Sequence, residues 1–410
     1  MHLNIQSLKP KIDLLTVEAK PYDILVFSET WLNSNVPDED LYMQSFKPPF
    51  RCDRRNRGGG GVAIYVRDTI HAVERNDLHM NNLEALWIEI HVNQRKLLIG
   101  GLYRTPDSNN TQWLNMEHSL DQAFNGHFDD ILVTGDFNVN ILASPSNRMS
   151  RLIDSYNAEQ LISTPTYFTE HSSSLLDLMF VKNPCHILSS FVADPFIPDL
   201  SRFHCPIVTV FKFHKPKQST YKRHVWLYDK GDYPKYINNL NTTDWNSILD
   251  RDNLHETADK IADAVLSAAA DSIPNKSITV RPDDVQWINK GVRMMIRKRN
   301  RAHQHAKTSN NERAWANFCK IGNDTTNLIR KTKKEYSEKL IEEINFENTN
   351  VKKWYKLAKK FSNKKSPPIP TLIDNGAEVS LDKDKAELLN TFFCNQSTLD
   401  DTNHTPPIKT

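Results

Sequence analysis

Along residues 1–214 the apolar positions fall in short runs, rich in β-branched and aromatic residues and separated by turn formers, which predicts strands. Asp23-Ile-Leu-Val-Phe-Ser-Glu-Thr-Trp31 reads as a buried strand ending in polar residues. Gly58-Gly-Gly-Gly61 leads into a second, Val62–Val66, and Leu83–Val92 with Lys96–Tyr103 reads as a hairpin closed near Asn93-Gln-Arg95. Further strands are expected at Ile131–Thr134, Leu176–Val181 and Pro206–Phe213, and helices at Ser7–Ala19, Gln112–Asn125 and Asn147–Tyr156. Sheet and helix alternate without a strict βαβ repeat. The expected class is therefore α/β, with two packed mixed β-sheets flanked by helices.

From 215 to 365 the strand signal is lost. Leu254–Ile273 carries Ala258, Ile261, Ala262, Val265, Leu266 and Ala269 at helical spacing and stops before Pro274. Trp287–Thr308, Asn311–Phe346 and Val351–Phe361 predict long polar helices with a thin apolar stripe. Trp287, Trp315 and Trp354 read first as core residues of that bundle, and secondly as groups on which bases could stack. Residues 366–410 open with the proline-rich linker Ser366-Pro-Pro-Ile-Pro370, continue into one short helix at Lys383–Phe393 and end in a polar tail.

Charge separates these regions. Residues 1–212 hold 18 Lys and Arg against 25 Asp and Glu, a net −7, whereas Lys276–Lys365 hold 23 basic and 9 acidic residues, a net +14. An acidic front half suits a site that holds a cation. A basic segment suits a surface that meets polyanions, although a solvated helical face has the same composition. No apolar run approaches the ~18 residues a membrane helix needs, so no membrane role is expected. The five cysteines are scattered without Cys-x-x-Cys spacing, which argues against a disulfide scaffold or a structural zinc site.

Several polar residues end apolar strands, where a sheet rim holds them rigidly. Glu29 follows Ile24-Leu-Val-Phe-Ser28, Tyr103 follows Leu98-Ile-Gly-Gly-Leu102, and Asp136 and Asn138 follow Ile131-Leu-Val-Thr-Gly135. His204 just precedes another apolar strand. Each alone is also what a solvated strand end or a turn cap looks like. Asp177 differs, because it lies inside Leu175-Leu-Asp-Leu-Met-Phe180, where an unpaired carboxylate is costly.

Seven strings in order across about 200 residues carry a resemblance. They are Leu3-Asn-Ile-Gln-Ser-Leu8, Phe27-Ser-Glu-Thr-Trp-Leu32, Gly59-Gly-Gly-Val-Ala-Ile64, Leu102-Tyr-Arg-Thr-Pro106, Gly135-Asp-Phe-Asn138, Ser174-Leu-Leu-Asp-Leu178 and His204-Cys-Pro-Ile207. The chain resembles the endonuclease/exonuclease/phosphatase superfamily, and within it the AP-endonuclease-like domain of LINE-type (non-LTR) retrotransposon proteins. Arg297-Lys-Arg-Asn-Arg-Ala302 and Ile329-Arg-Lys-Thr-Lys-Lys-Glu-Tyr336 look like the connector that follows the nuclease in such proteins, and Ile373–Phe393 looks like the opening of a reverse-transcriptase region. No Tyr/Phe-x-Asp-Asp motif follows residue 370, so the polymerase core is absent from this chain.

The resemblance implies a DNase- or AP-endonuclease-like four-layer sandwich over 1–214 with its N-terminal strand incomplete. A helical basic connector over 215–365 and the start of a truncated reverse-transcriptase region over 366–410 would follow. It implies an endonuclease that nicks DNA with Mg²⁺, or Mn²⁺ in its place, for target-primed reverse transcription. Glu29 would be the metal ligand, Asp136 would orient or deprotonate the attacking water, and Asn138 would fix Asp136 or the phosphate. His204 would meet the scissile phosphate with Asp177 holding its ring, Tyr103 and Asn4 would bond phosphate oxygens, and Thr166 would contact DNA. Partners would be DNA and, through the basic helices, element RNA, with the nucleus or cytoplasm following from the substrate; no oligomeric state is implied.

Besides Gln6, which stands where the superfamily's repair enzymes carry an acid two residues after the first Asn, and Met1, which falls just before the first motif, one departure bears on the metal. Family members carry Ser-Asp-His where this chain has Ser201-Arg-Phe-His204, so Phe203 replaces an Asp that helps bind metal, leaving Asp194 or Asp199 to supply an acid. The alternatives are thus a catalytically impaired remnant that binds nucleic acid, and a phosphodiesterase or phosphatase acting on a lipid or inositol phosphate.

Overall fold

The computed structural model describes residues 1–54, 58–92, 95–144, 146–169, 171–196, 202–213, 221–249, 254–280, 285, 287–309, 311–344, 351–361, 369, 372–374, 377–379 and 382–397. Asn93-Gln, Asp199, most of the proline-rich linker and the polar tail lie outside them. The first half contains, in order, β1 (His2–Asn4), α1 (Ile12–Glu18), β2 (Ile24–Ser28), β3 (Phe50–Cys52), β4 (Val62–Val66), β5 (Ala72–Glu74), β6 (Glu84–Val92) and β7 (Arg95–Tyr103). It continues with α2 (Asn110–Phe124), β8 (Asp130–Asp136), α3 (Arg148–Ser155), β9 (Glu159–Gln160), β10 (Tyr167–Thr169), β11 (Ser173–Ser174), β12 (Asp177–Val181), β13 (Ile187–Val192), β14 (Arg202–His204) and β15 (Ile207–Phe211). Beyond these come β16 (Tyr221–Trp226), α4 (Tyr233–Thr242), α5 (Trp245–Ile248), α6 (Leu254–Ser272) and β17 (Asn275–Val280). Then follow α7 (Lys290–Ser309), α8 (Glu312–Ile344), α9 (Val351–Phe361), β18 (Leu372–Asp374), β19 (Ala377–Val379) and α10 (Asp382–Ser397).

Two six-stranded mixed sheets, ordered β13-β15-β1-β2-β4-β3 and β5-β6-β7-β8-β12-β9, pack face to face. Alternation along single strands builds the layers. In β2, Leu25 and Phe27 join Ile12 and Leu15 of α1 on the outer side, while Val26 between them joins the core shared with the second sheet. In β4, Ala63 and Tyr65 face α1 and Val62, Ile64 and Val66 face inward. Helices α2 and α3 cover the far side of the second sheet through Met116, Leu120, Met149 and Ile153. The result is a four-layer sandwich of helix, sheet, sheet and helix.

A capping box starts α2: Asn109 Oδ1 accepts from the Gln112 N–H at 3.0 Å, and Gln112 Oε1 from the Asn109 N–H at 2.9 Å. That fixes the helix so that Ser119 Oγ accepts the indole N–H of buried Trp87 at 2.9 Å. Gly100 opposes this ring, since a Cβ there would lie 2.4 Å from it. Trp87→Ala is therefore expected to leave a cavity at the sheet centre and cost about 3–5 kcal/mol in urea unfolding. A loss below 1 kcal/mol, on the order of a surface change, would overturn this packing assignment.

The chain divides into two compact units, Met1–Pro216 with Val285–Thr410, and Lys217–Asp284. The stretch read as one helical connector, 215–365, thus falls partly in each. Within the first unit α7 and α8 pack on α1: Val292 and Ile329 cluster with Leu14, Arg299 pairs with Glu18 at 2.7 Å, and Lys333 pairs with Asp13. Trp287 joins that cluster and Trp315 packs with His303 and Phe318, whereas Trp354 is exposed. The second unit contains α4, α5, α6 and the antiparallel pair β16–β17, running from Tyr221↔Val280 to Trp226↔Asn275. The loss of strand signal beyond 215 is corrected here. Most described side chains of this ribbon are exposed, so they lack the apolar alternation that marks a half-buried strand.

Candidate active site

Strands β7 and β8 run parallel and β8 and β12 antiparallel, and their register sets Tyr103, Asp136 and Asp177 side by side. The facing sheet supplies Asn4 from the end of β1, whose Nδ2 donates to Asp136 Oδ2 at 2.8 Å. A three-stranded sheet, β11-β10-β14, supplies His204, whose Nδ1 meets Asp177 Oδ2 at 2.8 Å. Asn138, with φ of 50°, turns the chain after β8 so that its N–H donates to Asp136 Oδ1 at 3.0 Å and its Nδ2 to the Arg104 carbonyl at 2.8 Å. Three sheets thus converge on two adjacent carboxylates.

Glu29 follows β2 with φ of 55°. Its Oε2 accepts from the Gly60 N–H at 3.0 Å and from the Trp31 indole N–H at 2.5 Å, and its carboxylate is also bonded by Tyr103. Gly60 has φ of 66°, and a Cβ there would lie 2.3 Å from both the Arg54 guanidinium and the Glu84 carboxylate. Glycine there leaves room for the Arg54–Glu84 ion pair behind the N–H that reaches Glu29.

Burial and charge divide the work among these groups. His204 is disfavoured as a cation by burial, but the charge and hydrogen bond of Asp177, with Asp136 and Glu29 beyond, raise it to about 9. Asp136 is pushed up to about 7 by burial and by the charge of Asp177, against the opposing effects of His204, Asn4 and the Asn138 N–H. Asp177, although burial opposes its ionisation, is held below the ordinary carboxylate range by His204. Burial also raises Glu29, but the bonds from Tyr103, Gly60 and Trp31 and the charge of Arg54 bring it below its ordinary value. Tyr103 is raised by burial and by its bond to Glu29, so it stays a hydrogen-bond donor.

Thr166, expected to contact DNA, is fully buried, and that placement is corrected. Its hydroxyl accepts from the backbone N–H groups of Leu176 at 3.3 Å and Asp177 at 3.1 Å and bonds the Asp177 carboxylate, so it fixes the acid instead. Phe203 stacks on Phe168 with centroids 5.3 Å apart, and Asp194 is engaged by Lys307 at 2.9 Å and His303 at 3.1 Å on α7. Neither supplies an oxygen to this rim. His2 was not singled out by sequence: it is buried, its Nδ1 lies 3.7 Å from Asp177 Oδ1, its Nε2 meets Ser28 Oγ at 3.1 Å, and burial lowers it to about 4. The Tyr167 ring, 4.6 Å from that of His204, was also missed.

The ligand atoms of Asp136, Asp177 and His204 lie within 4.8 Å of one another. Asn4 Oδ1 and Asp177 Oδ1 are buried without a hydrogen-bond partner. Carboxylates forced together and buried oxygens left unpaired are what a hard divalent cation relieves, so the donor set fits such an ion.

The pattern that defines the Endonuclease/Exonuclease/phosphatase family matches residues 1–208. The chain belongs to this family. Its members hydrolyse phosphate esters, which accords with carboxylates, a protonated imidazole and amide donors meeting at one rim. Among solved structures the chain is similar to the endonuclease domain of TRAS1, a telomere-specific non-LTR retrotransposon, at 16% identity over 52% of this chain and 97% of that one, with TM-score 0.42. It is also similar to the 3′ phosphatase NExo from Neisseria bound to product DNA hairpin, at 15% identity over 52% and 98% of the two chains, TM-score 0.41. An AP endonuclease from Archaeoglobus fulgidus is similar at 15% identity over 52% and 98%, TM-score 0.38. No curated protein matches the chain.

Proposed function

We propose that this chain is a Mg²⁺-dependent DNA endonuclease of a non-LTR retrotransposon, nicking target DNA to prime reverse transcription. One observation carries the proposal: Asn4 with Asp136 and Asn138, Asp177 with His204, and Glu29 with Tyr103, spread over some 200 residues, form three hydrogen-bonded groups that strand register sets side by side at the rim of the sandwich. Glu29 would hold the cation, beside the buried oxygens of Asn4 and Asp177 that lack a hydrogen-bond partner. When bound, it offsets the charge that builds on the phosphoryl oxygens.

The chain's own groups do the rest. Asp136, held by Asn4 and Asn138, takes the proton of the attacking water. Protonated His204, its Nδ1 fixed by Asp177, presents Nε2–H to the phosphate. Tyr103 donates at the same edge. The exposed Lys and Arg of α7 and α8 would meet element RNA, and the substrate would place the protein in the nucleus or the cytoplasm where the element assembles.

Nicking of supercoiled plasmid in Mg²⁺ and in EDTA, with Glu29→Ala alongside, tests the proposal. Metal-dependent nicking lost in the variant supports it, and nicking that survives both EDTA and the variant overturns it.

The stacking of Phe203 favours a second reading, a chain that binds DNA with a weakened metal site. Phe203→Asp is expected to lower the Mg²⁺ concentration for half-maximal nicking by about tenfold. Loss of the Phe168 stack would cost about 1 kcal/mol of stability in return. An unchanged Mg²⁺ titration would remove position 203 from the metal question.

No described helix is long and apolar enough to cross a membrane.

A further inference from the structure

Trp31 is half exposed, at 50%, and has φ of 54°. A bulky residue in the left-handed region costs about 1–3 kcal/mol, and such strain persists where function uses it. The turn is held from several sides. The Trp31 N–H donates to the Gly60 carbonyl at 2.9 Å, the Thr30 N–H to the Gly61 carbonyl at 3.3 Å, and the indole N–H to Glu29 Oε2 at 2.5 Å. A smaller donor would serve Glu29 equally well. What an indole adds is a broad apolar face, and here much of that face meets solvent beside the carboxylate that would hold the cation. Arg54 approaches the same glycine turn, with Nη1 and the Trp31 indole nitrogen 3.7 Å and 3.8 Å from the Cβ position of Gly59. Arg54 is itself enclosed and ion-paired with Glu84 at 2.6 Å, so it shapes the turn and leaves the exposed indole face as the surface on which a nucleobase can stack.

We infer that Trp31 binds the cut DNA strand by stacking against one nucleobase next to the scissile phosphate, and that its indole N–H ties this contact to Glu29. The inference rests on the nuclease reading above. The ring then contributes to substrate binding and the N–H to the placement of Glu29, two roles that substitutions can separate.

Steady-state nicking of oligonucleotide duplexes tests it with wild type, Trp31→Phe and Trp31→Ala, each checked for folding by circular dichroism. The duplexes carry a tetrahydrofuran abasic analogue stepped one nucleotide at a time around the mapped nick. Trp31→Phe keeps the ring and loses the N–H, so KM should stay within about twofold and kcat should fall about tenfold. Trp31→Ala should also raise KM about tenfold. In wild type, one abasic position should raise KM by the same factor, and in Trp31→Ala that sensitivity should vanish. A wild-type KM in Trp31→Ala, or an abasic profile unchanged by the substitution, overturns the inference while leaving the nuclease reading intact. A wild-type chain that neither binds nor nicks these duplexes removes both.

Discussion

Replacing His204 by alanine is expected to lower Mg²⁺-dependent nicking by about 10²–10⁴-fold, the scale of a positioned proton-transfer group, with DNA affinity within about threefold of wild type. The ring is nearly enclosed, and its Nδ1 is committed to Asp177, which leaves Nε2 as the atom for substrate. The substitution also has a stability consequence with a definite sign. The folded value of about 9 lies above the ordinary 6.5. The stabilisation is therefore present in full below pH 6.5 and is lost as pH rises through about 9. His204→Ala should be destabilised most at neutral and acid pH, by about 3–5 kcal/mol if Asp177 remains ionised and unpaired. Nicking rates together with urea unfolding at pH 6 and pH 10 check both parts. A variant that nicks at the wild-type rate in Mg²⁺ and stops in EDTA would exclude His204 from the chemistry.

The sandwich was legible where strands are long and half-buried. The runs at Ile24, Val62, Leu83, Lys96 and Ile131 all form strands, because burial on one or both faces writes itself into the apolar pattern. Short strands such as β10, β11 and β14 were not legible. They are two or three residues long and owe their conformation to pairing partners rather than to their own composition.

The same divide runs through the candidate site. Asp177 stood out because a carboxylate inside an apolar strand demands a partner, and His204 is that partner. His2 gave no such signal, since a histidine near a chain start in an apolar strand reads equally as a core residue. Thr166 was given a ligand role that its burial removes, because a threonine before a strand carries no mark of which way its hydroxyl turns. Trp31 lay inside a quoted motif without a role of its own. Its exposure and its backbone strain exist only in three dimensions.

Asp177→Asn is expected to lower kcat by about 10³-fold and to move the pH optimum toward acid. In wild type the base requires Asp136 ionised, above about 7, and the donor requires His204 protonated, below about 9, which gives a bell between those limits. Asparagine removes the charge and the charge-assisted bond that raise His204, leaving burial to pull it down against Asp136 and Glu29 alone. The alkaline limb therefore falls to lower pH. The charge that helps raise Asp136 disappears as well, so the acid limb moves the same way. A divalent cation beside Asp136 draws the acid limb down further in both proteins, which makes the alkaline limb the diagnostic one. The neutral amide also presents an oxygen or an NH₂ to Nδ1, and the NH₂ orientation cannot accept from the protonated ring, so part of the population holds the imidazole out of place. That accounts for a lower rate even at the new optimum. Single-turnover nicking from pH 5 to pH 10 reads both effects, and an alkaline limb that stays near pH 9 in Asp177→Asn would break the link between this carboxylate and His204.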